Sequence, residues 1–223
     1  LGTQVVEAFV REANTWAKLD DHPHIVDVVD WDTEPLPWIA MEYMDAGHLG
    51  ERVDASHQEQ LWIAERVTEA VLHAHRRGVA HLDLKPENIL FRSVEDAWSV
   101  PKVADWGLSK QLLEQSQSRD GMTVEYAAPE QFSDSGSADN STDIYQLGAV
   151  FYELFTGQPP FEGEMLAVME QTREQQPTPP SELADVPDGL DELLGRALAK
   201  EPEDRYSDIV YLRDDLQELF ETV

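Results

Sequence analysis

Residues 5–19 place Val5, Phe9, Ala13 and Trp16 near helical spacing, which predicts an amphipathic helix. The period then changes. "HIVDVVDWD" and "PWIAMEYM" are short β-prone runs separated by the Pro-rich "TEPLP", and predict two strands joined by a turn. Helical period returns over 57–78, with apolar residues at 61, 64, 67, 71 and 74 and Gly78 as a stop. "NILF" and "PKVAD" predict two further short strands, and the polar, Ser- and Gln-rich stretch 109–125 predicts a mobile loop. Residues 141–157 are apolar nearly all round, which predicts a buried helix capped by Ser141 and closed by Gly157. Helices are expected over 163–174, 188–199 and 206–221, with the irregular "QQPTPPSELADVP" after the first of them. There are no internal repeats. A little strand early and mostly helix afterwards predicts an α+β fold, a small β-containing lobe followed by a larger helical one.

Composition narrows the class. The chain has 223 residues, 41% of them hydrophobic, enough for a core in one large domain or two small lobes. No apolar run approaches the roughly 20 residues of a membrane span, and the opening "LGTQVVEAFV" has neither the basic start nor the cleavage site of a signal peptide. It also lacks an initiator methionine, which suggests a fragment. Without cysteine there are no disulfides, no thiol catalysis and no cysteine metal site. The formal net charge is −29, and only five of the sixteen basic residues are lysines. Such a surface repels nucleic acid and anionic membranes. The acids are dispersed along the whole chain, as in proteins of salt-loving microbes; an ordinary acidic protein is the plainer alternative.

Three stretches carry chemistry. In "HLDLKPENIL" (81–90), Asp83, Lys85 and Asn88 interrupt an apolar run. An aspartate can orient a hydroxyl and accept its proton, a nearby lysine can offset charge on a transferring phosphate, and an asparagine oxygen suits a hard cation such as Mg²⁺. The bland alternative is a solvated turn pivoting on Pro86. In "ADWG" (104–107), Asp105 follows a short strand 22 residues after Asp83, a good place from which to hold Mg²⁺. An Asp-x-Gly turn alone is common. "YAAPE", "TDIYQLG" and "KEPEDRY" place Glu130, Asp143 and Arg205 in order. Glu130 and Arg205 suit a buried ion pair, and Asp143 at the head of a buried helix suits backbone N–H donors from the first stretch. For each singly, a helix cap or surface bridge explains as much. The seven histidines show no HExxH-like spacing; His73 and His75 read as structural and no zinc is expected.

Taken in this order and spacing, "HLDLKPENIL", "DWG", "APE", "DIYQLG" and Arg205 resemble a eukaryotic-type (Hanks-type) protein kinase over essentially the whole chain. The resemblance implies ATP and Mg²⁺ as cofactors. It makes Asp83 the catalytic base and Lys85 a γ-phosphate contact, with Asn88 and Asp105 as Mg²⁺ ligands. It puts Met41 at the gatekeeper position, Glu42 and Met44 in the hinge ("EYM") and Leu90 under the adenine. Lys85 and Thr123, just before "VEYAAPE", resemble the serine/threonine branch. Glu12 becomes the helix glutamate that pairs with a strand lysine. Val28, Trp16, Trp106 and His81 form a stacked column anchored by Asp143, which plain hydrophobic packing would also explain. Glu130 and Arg205 brace the architecture. Residues 1–44 are then a partial small lobe and 45–223 the helical lobe. Protein Ser/Thr substrates, a homodimer through the small lobe, no nucleic acid, no membrane contact and a cytoplasmic location complete the expectation.

The departures are specific. No glycine-rich loop or lysine-bearing strand lies within residues 1–223, and Lys18, read as inside the first helix, cannot substitute. Trp106 replaces the usual phenylalanine, and Asp20-Asp21 resembles an insertion. Leu82 replaces the usual arginine, so a phosphate on Ser109, Ser116 or Ser118 would find no guanidinium there. Two other readings stay open: a pseudokinase or regulatory module that binds without transferring phosphate, and a small-molecule kinase, which "APE" and Thr123 disfavour.

The charge generates the first testable expectation. Unscreened carboxylates repel over Debye lengths of about 10 Å at 0.1 M salt. Thermal melting should show a higher midpoint in molar KCl than in 0.1 M KCl. An equal or higher midpoint at 0.1 M contradicts the salt-adapted reading.

Overall fold

In a computed structural model, the structure describes residues 3–19, 22–106, 124–132 and 138–223. The chain opens with helix α1 (Thr3–Ala17), which buries Ala13 and Trp16. Lys18 lies just beyond the end of α1 rather than inside it, because the chain turns there with Lys18 N–H donating to the Thr15 carbonyl (3.2 Å). Glu12 is in α1, but its side chain lies outside the described residues, as do Asp20 and Asp21.

Strands β1 (Val28–Asp32) and β2 (Trp38–Met41) pair antiparallel around the expected Pro-rich turn, whose Glu34–Pro35 bond is cis. Among the described residues this sheet has two strands, and Val29, Trp38 and Met41 are exposed on it. Helix α2 (His57–His75) follows, N-capped by the Ser56 hydroxyl, and buries Leu61, Ala64, Val67, Val71 and Ala74 as its periodicity requires. Strands β3 (Ile89–Arg92) and β4 (Val100–Val103) form a second antiparallel pair. Residues 22–27 lie against it: Val26 N–H donates to the Val103 carbonyl (3.0 Å) and Val103 N–H to the His24 carbonyl (2.9 Å).

Helix α3 (Asn140–Thr156) is the buried helix of the large lobe. Its N-cap is Asp139, not Ser141. The Asp139 carboxylate accepts from Ser141 N–H (2.8 Å), and the Thr142 hydroxyl accepts from Asp139 N–H (3.2 Å). A carboxylate also suits the positive end of the helix. Ser141 is drawn elsewhere, its hydroxyl accepting from Arg205 (3.2 Å). Gly157 closes α3 in the left-handed region at φ 78°. Gly148 lets α5 (Leu190–Ala197) approach: a Cβ there would stand 2.9 Å from that of Ala197. Helices α4 (Met165–Glu174) and α6 (Ile209–Thr222) complete the lobe. Each of the last three starts two or three residues later than its periodicity suggests, close to the usual latitude at a helix end.

One hydrophobic core joins α2, α3, α5 and α6 with β3, β4, Trp16 and Trp106. A smaller cluster (Val124, Ala127, Phe132, Phe161, Val168 and Met169) seats residues 124–132 on α4. The result is an α+β chain in which the β3–β4 pair packs against α2 of a helical base.

Candidate active site

The site begins in the base, at Asp143 on α3, a carboxylate with no solvent exposure. Its Oδ2 accepts from His81 N–H (2.8 Å) and from His75 Nε2 (2.7 Å), and its Oδ1 accepts from Leu82 N–H (2.7 Å). One turn along α3, and so on the same face, Gln146 Oε1 accepts from Leu84 N–H (3.0 Å). Gln146 and Gln131 both donate to the Leu82 carbonyl, at 3.2 and 3.0 Å. The remaining amide, Asp83 N–H, donates to His81 Nδ1 (3.3 Å). That fixes the imidazole tautomer, because Nε2 must then carry the proton it donates to the Ala104 carbonyl (2.8 Å). Every backbone N–H from His81 to Leu84 is therefore held.

This frame accommodates a left-handed residue. Leu82 has φ 66°, an uncommon conformation for a non-glycine residue, and its side chain is buried. The peptide groups on both sides of it are pinned, so the chain turns sharply and Asp83 faces outward. The Asp83 carboxylate lies 3.2 Å from Lys85 Nζ. Asn88 Nδ2 donates to the Asp83 carbonyl (2.8 Å) and approaches its Oδ2 (3.5 Å), an orientation that leaves the amide oxygen for another partner.

β3 and β4 bring in the last member. The Ala104 N–H donates to the Asn88 carbonyl (2.8 Å), which sets the two segments side by side. Asp105 follows at φ 60°. Burial pushes its carboxyl above the usual carboxylate range; the Lys85 ammonium offsets part of this, and Asp83 adds to it. A desolvated carboxylate beside another carboxylate is a place where a cation is welcome. Trp106 is fully buried, edge-on to His81 with ring centroids 4.8 Å apart, and its indole donates to the Val103 carbonyl (3.1 Å). Trp16 joins the same core, and Val28 packs against it half-buried.

Glu42 directly follows β2, its N–H donating to the Asp27 carbonyl (3.0 Å). Met44 and Leu90 are half-buried against the core. Glu130 and Arg205 meet in a bidentate pair, both bonds 2.8 Å. Arg205 is fully enclosed and also donates to the carbonyls of Ala199, Ser141 and Lys200. Burial raises the Glu130 carboxyl, but the Arg205 contacts outweigh it and hold the group below its ordinary range. Thr123, with Ser109, Ser116 and Ser118, lies outside the described residues.

Two residues of this frame escaped the sequence reading: Gln131 and Gln146. Gln146 carried a signal, since it stands three residues after Asp143 on one helix face. His75 had been read as structural, which its bond to Asp143 extends to the loop itself.

The sequence profile of the family described as "Protein kinase domain" matches residues 2–220. The chain is 36% identical to the serine/threonine-protein kinase Pkn1 of Myxococcus xanthus over 96% of its own length and 32% of that protein. It is 34% identical to PknB of Mycobacterium leprae, covering 93% of this chain and 35% of the relative. For PrkC of Bacillus subtilis the figures are 32% identity, 98% and 34%. The chain thus spans about a third of the length of these curated relatives. Among solved structures it is similar to the kinase domain of Mycobacterium tuberculosis PknI, with a TM-score of 0.74 and 29% identity over 98% of this chain and 80% of that one.

The Glu130–Arg205 pair gives a test of the frame. Breaking one partner of a buried pair costs about 3–5 kcal/mol, so Arg205→Met should lower the unfolding free energy by that amount at pH 7. Because the folded Glu130 carboxyl is depressed from 4.5, the pair's contribution is present above about pH 4.5 and fades as pH falls through the lowered value. Urea titrations should show this acid loss shrinking in Glu130→Gln. An Arg205→Met protein as stable as the parent contradicts the assignment.

Proposed function

The chain belongs to the protein kinase family, and we propose that it is a serine/threonine protein kinase domain transferring the γ-phosphoryl group of ATP to a protein hydroxyl. The observation that carries this reading is the locked backbone of 81–84. It presents Asp83 outward with Lys85 and Asn88 beside it and Asp105 across from it. A group so fixed needs no reorganisation when the reaction begins.

Each side chain then has a task. Asp83 orients the acceptor hydroxyl and takes its proton. Lys85, 3.2 Å from Asp83, steadies that carboxylate and lends positive charge to the transferring phosphoryl. Met41, Glu42 and Met44 line the adenine side through the connection between the lobes, and Leu90 lies beneath it. The Asn88 oxygen and the desolvated Asp105 carboxylate are hard donors that fit Mg²⁺, an ion that keeps several water or phosphate ligands and so needs few from protein. When bound, Mg²⁺ neutralises phosphate charge. Glu12 and Thr123 keep the roles that the family resemblance gives them.

Residues 1–44 act as part of the small lobe and 45–223 as the helical lobe. The glycine-rich loop and strand lysine are not among residues 1–223, so this segment by itself holds the β- and γ-phosphates weakly. Leu82, buried and uncharged, gives a loop phosphate no partner, so control of activity lies elsewhere, in the position of α1 or in small-lobe dimer contacts. The acidic surface favours protein substrates over nucleic acid. No helix among the described residues is long and apolar enough to cross a membrane; a cytoplasmic location is what the kinase reading, with ATP as donor, implies.

The test compares the protein as encoded with its Asp83→Asn variant. Phosphate transfer to protein should fall by about 10²–10⁴-fold while Mg-ATP affinity changes little. A parent protein that binds nucleotide yet transfers nothing favours the pseudokinase reading instead.

A further inference from the structure

Lys102 is one of only sixteen basic side chains in the protein, and it is nearly enclosed, with 5% of its side chain exposed. Burying an ammonium group is costly unless it is paired and hydrogen-bonded. Its Nζ makes a short contact with Glu42 Oε1 and lies 3.6 Å from Asp27 Oδ2. The same Glu42 oxygen accepts from Asp27 N–H (3.0 Å), and its other oxygen lies 3.5 Å from Arg92. Two cations and two carboxylates therefore balance at a junction of four segments. These are the residue after β2, the entry to β1, the end of β3 and the middle of β4.

The placement matters because of what each segment carries. Glu42 begins the connection between the lobes. Lys102 pairs across the β3–β4 ladder with Leu90 and stands three residues before Asp105. Backbone bonds already zip residues 24–26 onto β4. Among the described residues the backbone of 42–44 is tied to Asp27, through the Glu42 N–H, while further along Ala46 N–H donates to the Phe91 carbonyl and Phe91 N–H to the Gly47 carbonyl (both 3.0 Å), which holds the far end of the connection to β3 rather than to β4. The side-chain cluster supplies the direct link from that connection to β4.

We propose that Lys102 is a positioning residue: its buried pair with Glu42, backed by Asp27 and Arg92, fixes residues 42–44 against β4 and sets the separation between the adenine contacts and Asp105. The Glu42 carboxylate is committed to this pair, so any adenine contact from Glu42 belongs to its backbone. The nucleotide consequence rests on the kinase reading above; the mechanical tie does not.

The test uses Lys102→Met, Lys102→Arg and Glu42→Gln in the protein as encoded, with two readouts. The first is amide hydrogen exchange, which needs no nucleotide. The amides of Val26, Glu42 and Val103 should exchange about tenfold faster or more in Lys102→Met and Glu42→Gln, and at parental rates in Lys102→Arg, with those of Leu147 and Leu216 unchanged in all three. The second is kinetics. KM for ATP should rise about tenfold in Lys102→Met and recover in Lys102→Arg, while KM for the protein substrate holds. Unchanged exchange in Lys102→Met overturns the tie. Faster exchange with an unaltered KM for ATP, or an equal loss in every kinetic parameter that Lys102→Arg fails to restore, overturns the positioning role. A parent protein that turns over no ATP defeats the kinase reading, and the exchange measurement still decides the tie.

Discussion

One carboxylate organises the chain. Asp143 is buried without exposure at the head of the most enclosed helix, and such a charge persists in a core only if its lone pairs are filled. Here three donors fill them: His81 N–H, Leu82 N–H and His75 Nε2. Two of the three belong to the loop that carries Asp83. Satisfying the charge and shaping the loop are therefore the same event, and a loop displaced from its place leaves a buried anion short of partners.

The rest of the structure supports that arrangement from two sides. Below, Gln146 repeats the motif one helical turn on, and Gln131 joins it at the Leu82 carbonyl. The left-handed Leu82 would cost free energy in an open loop; held at N–H and C=O, it becomes the pivot that turns Asp83 outward. Alongside, Arg205 clamps Glu130 to the start of α3 by bonding both the Glu130 carboxylate and the Ser141 carbonyl, so the segment bearing Gln131 is fixed to the helix bearing Asp143. Above, the His81 ring spans from the loop to the Ala104 carbonyl and meets Trp106 edge-on. The position of Asp105 thus depends on the same imidazole that receives the Asp83 amide.

Much of this was legible in the sequence, for reasons that differ by residue. The helices announced themselves through periodicity, and α3 through its nearly unbroken apolar run. Asp83, Lys85, Asn88 and Asp105 stood out because polar groups interrupt apolar runs at fixed spacing. The cap of α3 was misplaced because Ser141 and Asp139 both have the chemistry to cap, and only the demand of Arg205 for Ser141 decides between them. The pairing of Lys102 with Glu42 gave no signal: Glu42 stood out only as part of the hinge, Lys102 is an ordinary strand residue, and their 60-residue separation hides a buried pair. Leu82 was legible only in part. Read as an absence of charge, it is in the fold a buried side chain on a strained backbone, a property that no pattern of hydrophobicity encodes. Thr123 and the Glu12 side chain lie outside the described residues, so their roles rest on the family resemblance alone.

If Asp143 governs the loop, replacing it by asparagine should loosen the loop before it loosens the core. Asparagine keeps the size but puts an NH₂ where a donor already points, so at least one of the His81, Leu82 and His75 bonds is lost. The direct measurement is residue-resolved amide hydrogen exchange of Asp143→Asn against the parent protein. The His81 and Leu82 amides should exchange at least about tenfold faster, equivalent to roughly 1.4 kcal/mol, while Val67 and Val71 on α2 keep their protection. Parental exchange rates at His81 and Leu82 in the variant would contradict the central role given to this carboxylate.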